Sequence, residues 1–194
     1  MRVISGTARG TTLHSIDNIS TRPTLDRVKE SLFNIVQDKI EDAIVLDLFA
    51  GSGAIGIEFL SRRAEKAYFC DISIKAIEMI EQNLNKTRLK EKAEVLNKDY
   101  LKCIEELKNI QFDIIFLDPP YKEKFSIEAL KRINEAKMLK NGGIIIIETD
   151  EPERELKEIS NINIDYKIYD LRKYGRVSLI FLKWKGKTWK YLHC

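Results

Sequence analysis

AIVLDLFAGSGAIG, residues 43–56, joins an apolar run to a glycine-rich turn and then to the start of a helix. The run 43–49 has the length and apolar continuity of a strand buried on both faces. Glycines at 51 and 53 permit a sharp turn and let a ligand approach the backbone where a β-carbon would collide. A helix follows from about Ala54. Strand, glycine turn and helix in that order open a parallel α/β sheet. The turn falls at the carboxyl end of the first strand, where open sheets bind ligands.

The same rhythm continues downstream. KAYFCD (66–71) predicts a second strand, followed by a helix carrying Ile74, Ile77, Ile80 and Leu84. AEVLN (93–97) predicts a third strand and FDIIFLD (112–118) a fourth, with a helix around Ile127–Leu139. Asn141-Gly142-Gly143 reads as a helix stop and turn before the fifth strand, GGIIIIE (142–148). Pro152 suits the first turn of a short helix. NIDYKIYDL (163–171) and RVSLIFLKW (176–184) are separated only by a short turn around Gly175. So short a link cannot make a parallel crossover, and the pair closes as a hairpin. Upstream, residues 1–13 read as a short β-hairpin around Gly6. Thr24, just after Pro23, opens an amphipathic helix with Leu25, Val28, Leu32, Ile35 and Val36 on one face.

The expected fold is therefore α/β and doubly wound: a mostly parallel seven-stranded sheet with an antiparallel C-terminal hairpin, preceded by a short β-hairpin and a helix. That Rossmann-like layout resembles the class I methyltransferases. One domain spans 1–194, with the hairpin and helix at 1–40, the core at 41–184 and a basic tail at 185–194.

Composition narrows the classes. The chain has 194 residues, 44% hydrophobic and 32% charged, as in a globular protein with a substantial core. Three cysteines, Cys70, Cys103 and Cys194, do not make a disulfide framework and point to a reducing cytoplasm. The opening MRVISGTARG lacks the apolar core of a signal peptide, and IIFL and IIII are too short to cross a bilayer. His14 and His193 lie at opposite ends and no cysteine pair has ligand spacing, so no metal site is expected. Residues 165–194 hold eight Lys or Arg against two acids, although the whole chain carries only +3. Such a surplus suits either a phosphate-facing surface or a solubilising edge strand.

Two ligand readings compete at the turn. Gly51, Gly53 and Gly56 spell G-x-G-x-x-G, and Asp71 ends the next strand, as in a dinucleotide site. In the rival reading the turn holds S-adenosylmethionine, with Asp47 at its methionine end and Asp71 on its ribose. Asp99, after the third strand, would then accept from the adenine amine; alternatively it is simply the N-cap of the next helix.

Asp118-Pro119-Pro120-Tyr121 ends the fourth strand beside this turn. An acid and an aromatic flank two rigid prolines at a ligand-binding edge. An exocyclic amine on a base is a poor nucleophile, because its lone pair is conjugated into the ring. Asp118 and the Pro119 carbonyl can accept its protons and direct the lone pair at a methyl donor, while Pro119 brings no competing amide donor. Tyr121 can stack on the base, worth roughly 1–3 kcal/mol in single-strand binders. A tetrapeptide of this kind resembles those of methyltransferases acting on adenine, guanine or glutamine amines, and with it the cofactor reading becomes S-adenosylmethionine.

The chain resembles the RsmD-type 16S ribosomal RNA guanine-N2 methyltransferases over nearly its full length. The similarity lies in Arg2–Gly10 (RVISGTARG), Arg22–Asn34 (RPTLDRVKESLFN), Asp47–Gly53 (DLFAGSG), Asp118–Tyr121 (DPPY) and Lys173-Tyr174-Gly175. The resemblance implies transfer of one methyl group from S-adenosylmethionine, without a metal, to a guanine of 16S rRNA, in the 30S subunit or an assembly intermediate. It implies a cytoplasmic monomer with no membrane association and no obligatory protein partner. Cofactor contacts are expected from Asp47, Phe49, Ala50, Gly51, Ser52, Gly53, Asp71, Ile72, Asp99 and Tyr100. Catalysis falls to Asp118, Pro119 and Tyr121, and RNA contacts to Arg9, Arg22, Thr24 and Arg27. Lys29 stands where the family commonly has arginine, which removes a bidentate donor there. The tail reads as a frayed end or as an RNA-touching segment. Related chemistry leaves a DNA adenine-N6 or protein glutamine methyltransferase open, and a non-catalytic RNA-binding assembly factor is the alternative outside enzymes.

Overall fold

The computed structural model describes residues 1–15, 23–120 and 124–185, with only the backbone of 23–26. Tyr121, Arg22 and the tail beyond Lys185 lie outside these residues, as does the side chain of Thr24. The chain order is α1 (Pro23–Val36), β1 (Ile44–Asp47), α2 (Ala54–Ser61), β2 (Lys66–Asp71), α3 (Ile74–Thr87), β3 (Ala93–Asn97), α4 (Tyr100–Leu107), β4 (Phe112–Leu117), α5 (Phe125–Glu135), β5 (Leu139–Thr149), α6 (Pro152–Ser160), β6 (Tyr166–Tyr174) and β7 (Val177–Trp184).

One seven-stranded sheet has the order β3-β2-β1-β4-β5-β7-β6. β1 to β5 are mutually parallel, and β7 runs antiparallel to both β5 and β6. The predicted architecture is the observed one. Strand order reverses between β1 and β4, which makes the carboxyl ends of β1 and β4 the place for a ligand.

Alternation along the strands divides the core. Val45, Phe69, Phe116 and Ile146 pack with α1, α2 and α3, whereas Leu46, Cys70, Leu117 and Ile147 pack with α4, α5 and α6. Both faces of the central strands are thus dry, which explains their unbroken apolar sequence. Gly56 sets the distance between α2 and β2. A β-carbon there would fall 2.2 Å from the Phe69 ring, so the third glycine of the fingerprint serves helix–sheet packing.

Two expectations need correction. Asn141-Gly142-Gly143 does not stop a helix. α5 ends at Glu135, and residues 139–149 form one strand. Between the pairs Phe112–Leu139 and Ile114–Ile144 the register shifts, and Gly142 takes φ +84°. The glycines therefore make a bulge in β5. Leu139, expected on the helix, is the first residue of that strand. As expected, residues 1–13 form a short β-hairpin around Gly6, with Val3 N–H donating to the Thr11 carbonyl, Gly10 N–H to the Val3 carbonyl and Leu13 N–H to the Met1 carbonyl, at 2.9 to 3.0 Å. One antiparallel bridge joins Arg2 and Thr12. The next donors turn away to α2: Ile4 and Ser5 amides bind Glu58, and the Ala8 amide binds the Ser61 hydroxyl. Gly6, at φ +83°, lies so close to Ser61 that a β-carbon would collide with its carbonyl.

Candidate active site

Four hydrogen bonds donated by backbone amides, two to carbonyls and two to aspartate side chains, shape the turn after β1. Ala50 N–H donates to the Cys70 carbonyl at 2.9 Å and Gly53 N–H to the Ala50 carbonyl at 2.7 Å. Gly51 N–H donates to Asp71 Oδ2 at 2.8 Å, and Gly56 N–H to Asp47 Oδ2 at 3.0 Å. Gly51 and Gly53 both have positive φ, and Gly53 is the N-cap of α2 without any side chain to cap it. Asp47 supplies the missing acceptor from beneath, at the end of α2 where the unpaired amides favour negative charge. Asn83 on α3 clamps the turn from outside, donating to the Ser52 carbonyl at 2.9 Å while bonding both backbone groups of His14.

Asp71 Oδ1 accepts from Ser73 N–H at 2.9 Å, so both its oxygens position backbone. Each retains a second lone pair for a ligand hydroxyl. Asp99 is the N-cap of α4, accepting from Leu101 N–H at 2.9 Å through Oδ1. The capping reading holds, and it leaves Oδ2 for other use.

Two cavities open at this sheet edge. The larger, about 440 Å³, is lined by Phe49, Gly51, Asp71, Ile72, Asp99 and Tyr100 on one side and by Asp118, Pro119 and Phe125 on the other. Phe49, Tyr100 and Phe125 form an aromatic wall, with ring centroids 5.1 to 6.4 Å apart. Ile72 offers an apolar side chain that is 71% exposed. The smaller cavity, about 240 Å³, is lined by Lys29, Asp47, Ala50, Ser52, Asp118 and Glu148 among others. Asp118 borders both. Gly53 is buried beneath the turn and lines neither.

Three carboxyls gather where the cavities meet. Burial pushes Asp47 up to about 7 against the lowering effect of the Gly56 amide, and the charges of Asp118 and Asp71 add to the rise. Glu148 reaches about 7 through burial and the charge of Asp47. Asp118 is raised well above the usual carboxylate range by burial and by Glu148. Acids forced together in this way gain most from a cation placed between them.

Sequence reasoning missed Glu148, although it carries the signal that marked Asp47, Asp71 and Asp118: an acid closing an apolar strand. It also missed Phe125, which lies across a loop from its partners, and the burial of Lys29. That lysine is 3% exposed and pairs with Glu58 at 2.9 Å, a residue with no exposure at all. Glu58 additionally binds Arg62 Nε at 2.8 Å. Lys29 is thus a core ion-pair partner that also lines the smaller cavity, not a surface cation.

The arginines separate. Arg9 is exposed on the N-terminal turn that packs against Ser61, the end of α2 remote from the glycine turn. Arg27 is exposed on α1, one turn before Ser31, and Ser31 bonds the hydroxyl of Tyr174. This contact brings α1 to the β6–β7 turn, where Lys173 and Arg176 are exposed. Among the described residues no three acids, histidines or cysteines are placed so that they could hold a metal ion together, and no helix is long and apolar enough to cross a membrane.

Comparison with known proteins agrees with this geometry. The family model described as Conserved hypothetical protein 95 matches residues 1–183. The Bacillus subtilis protein YlbH is 43% identical over 188 residues, covering 96% of this chain and 100% of that relative. Ribosomal RNA small subunit methyltransferase D of Haemophilus influenzae is 35% identical over 179 residues, covering 87% and 93% respectively. The solved structure of yhhF from Escherichia coli superposes with a TM-score of 0.79 at 27% identity, covering 95% of this chain and 97% of that one. The fold is that of the class I methyltransferases, and with a family match over nearly its whole length the chain belongs to the RsmD family.

Proposed function

We propose that the protein transfers a methyl group from S-adenosylmethionine to the exocyclic N2 amine of a guanine in 16S rRNA, within the 30S subunit or an assembly intermediate. The position of Asp118, shared by a cofactor-sized cleft and an adjoining cavity, carries this reading. A donor and an acceptor placed in the two spaces would meet at its carboxylate. The name of the Haemophilus influenzae relative supports an rRNA substrate, and the family resemblance supports guanine.

The residues fit the cofactor. The glycine turn offers close backbone approach, Asp71 has lone pairs for ribose hydroxyls, and Asp99 Oδ2 suits an adenine amine. Ile72 and the aromatic wall give the ring apolar faces. When bound, the sulfonium supplies an electrophilic methyl group, so no metal is needed. Asp118 and the Pro119 carbonyl accept the amine protons and hold the nitrogen for in-line attack, and the carboxylate stabilises the positive charge developing there. Tyr121 is assigned to the base face. Arg27 would meet RNA phosphates together with Lys173 and Arg176, Arg22 and Thr24 are assigned to RNA by the family resemblance, and Arg9 would meet RNA farther along. A base in folded RNA must be extruded to enter. The protein would act as a cytoplasmic monomer.

Cofactor affinity should depend on pH. With Asp47 and Glu148 near 7 in the free protein, part of the population is protonated at neutrality. A bound cation favours the ionised forms, so binding expels protons. Affinity is expected to rise as pH increases from 6 to 8. Calorimetry in buffers of different ionisation heat would show proton release; uptake, or none, would contradict the cationic-ligand assignment.

The function itself is tested by supplying labelled S-adenosylmethionine with undermethylated 16S rRNA, 30S subunits, duplex DNA or total protein. Label recovered as N2-methylguanosine from 16S rRNA or 30S particles is the expected result. Label in adenine or in protein would overturn the substrate and leave the methyl-transfer chemistry. Cofactor binding without label in any arm would favour a non-catalytic assembly role.

A further inference from the structure

Asp47, Asp71 and Asp99 each accept a backbone amide. Asp118 and Glu148, in contrast, accept no hydrogen bond from the described residues. Leu117 pairs with Ile147 across β4 and β5, so Asp118 and Glu148 follow at adjacent strand ends. Side chains in register on neighbouring parallel strands share a face and stand about 5 Å apart. Both line the smaller cavity, alongside Lys29 and Leu32 of α1. Only Asp118 also lines the larger cleft. That cleft spans the ends of β3, β2, β1 and β4, and the smaller cavity is walled on one side by Asp47, Ala50 and Ser52 of the glycine turn. Glu148, on β5, lies one strand beyond β4, where an acceptor held by Asp118 would reach it.

We propose that Glu148 determines the specificity for the acceptor base, accepting the N1–H of the same guanine whose N2 amine is held by Asp118. This rests on the guanine-N2 reading above. Guanine presents N1–H and the N2 amine as adjacent donors on one edge. Two carboxylates from neighbouring strands match that edge, one for each position. Adenine at N1 and cytosine at N3 present lone pairs instead. Those would face the Glu148 oxygens and leave a desolvated acceptor unpaired, which costs enough to exclude them. Burial beside Asp47 leaves Glu148 poorly satisfied in the free protein, and a donor from the base would relieve this.

The test uses the intact protein and 16S rRNA carrying either guanine or 2-aminopurine at the methylated position. 2-Aminopurine keeps the C2 amine but has no proton on N1. At pH 8 or above, where Glu148 is ionised and has no proton to donate to N1, the wild-type protein is expected to favour guanine in kcat/KM by on the order of 10- to 100-fold. Glu148→Ala should narrow this ratio to within about threefold, mainly through loss on guanine. Glu148→Gln, which preserves size and an acceptor oxygen, should narrow it as well, because its amide can donate to the bare N1. Thermal melting and circular dichroism confirm that both variants are folded. A wild-type ratio retained in a folded variant overturns the assignment, and a cofactor affinity loss of tenfold or more with that ratio retained gives Glu148 to the cofactor instead. If the wild-type protein labels guanine in no RNA, the guanine reading fails and this inference falls with it.

Discussion

Asp118→Ala is expected to lower methyl transfer to RNA about a thousandfold while changing the dissociation constant for S-adenosylmethionine by less than about fivefold. The two readouts separate because Asp118 lines both the cleft proposed for the cofactor and the second cavity, and so can serve the acceptor without holding the cofactor. The glycine turn is held by Asp71 and Asp47 rather than by Asp118. Alanine would leave the cofactor's seat in place and remove the acceptor for the amine protons. Asp118→Asn keeps an acceptor oxygen without the charge and should fall between the two proteins, about ten- to a hundredfold below wild type. Single-turnover rates with saturating cofactor give the comparison. An equal loss of rate and affinity in the alanine variant would make Asp118 a cofactor-binding residue and remove it from catalysis. Asp118 is raised by burial and Glu148, and only its ionised form accepts both amine and charge. The rate should therefore climb with pH until this carboxyl is deprotonated, then level off.

Glu58→Ala is expected to be the most damaging change outside the catalytic site, costing on the order of 3–5 kcal/mol. Glu58 is fully buried and accepts from Ile4 N–H, Ser5 N–H, Lys29 and Arg62, all at 2.8 to 2.9 Å. Burial alone would raise its pKa, but the Lys29 charge, the Ile4 amide and the side-chain bonds from Lys29 and Arg62 outweigh that and hold it below its ordinary value. Alanine leaves the Lys29 ammonium buried without this carboxylate and strands two amides of the N-terminal turn. The midpoint of thermal unfolding should fall by roughly 10 °C. A loss below about 1 kcal/mol would mean that water replaces the carboxylate at little cost. Pairing Glu58→Leu with Lys29→Met should recover part of the stability, since it removes both charges, yet not all, since the Ile4 and Ser5 amides remain unpaired.

These acids also shape stability against pH, with opposite signs. Glu58 has a lowered folded-state pKa, so its contribution is complete above its unfolded value near 4.5 and is lost as pH falls through the folded one. Asp47 and Glu148 lie near 7 folded, against 3.8 and 4.5 as ordinary values. The folded protein binds more protons than the unfolded chain over that interval, and their effect reduces stability as pH rises towards 7. The free protein is thus expected to be most stable near pH 5, and S-adenosylmethionine should move that optimum upward.

Much of the architecture is present in local pattern alone. β2 and β3 occur at the predicted residues: β2 is buried on both faces and apolar between its polar ends, whereas β3, at the sheet edge, is only partly buried and tolerates Glu94. α6 begins at Pro152 as expected, since a proline at the first helical position sacrifices no hydrogen bond. Four of the acids and glycines that matter most, Asp47, Gly51, Asp71 and Asp118, are legible because the ends of parallel strands converge on one edge whatever the details of packing.

Tertiary contacts decided the rest. Asn141-Gly142-Gly143 has the composition of a helix stop, yet pairing with β4 makes it a bulge, since a glycine signal reports backbone freedom and not which element uses it. The N-terminal hairpin docks on α2 because Glu58 and Ser61 take the amides of Ile4, Ser5 and Ala8, a contact that no local pattern announces. Lys29 and Arg27 are two residues apart on one helix, and only packing against α2 makes the first a core ion-pair partner and leaves the second in solvent. Glu148 gains its meaning from standing beside Asp118, a relation set by the register of two strands. Period and composition act along the chain, so they establish elements and their order. Which polar groups meet is settled by register and helix packing, where the loss of water makes each unpaired partner costly.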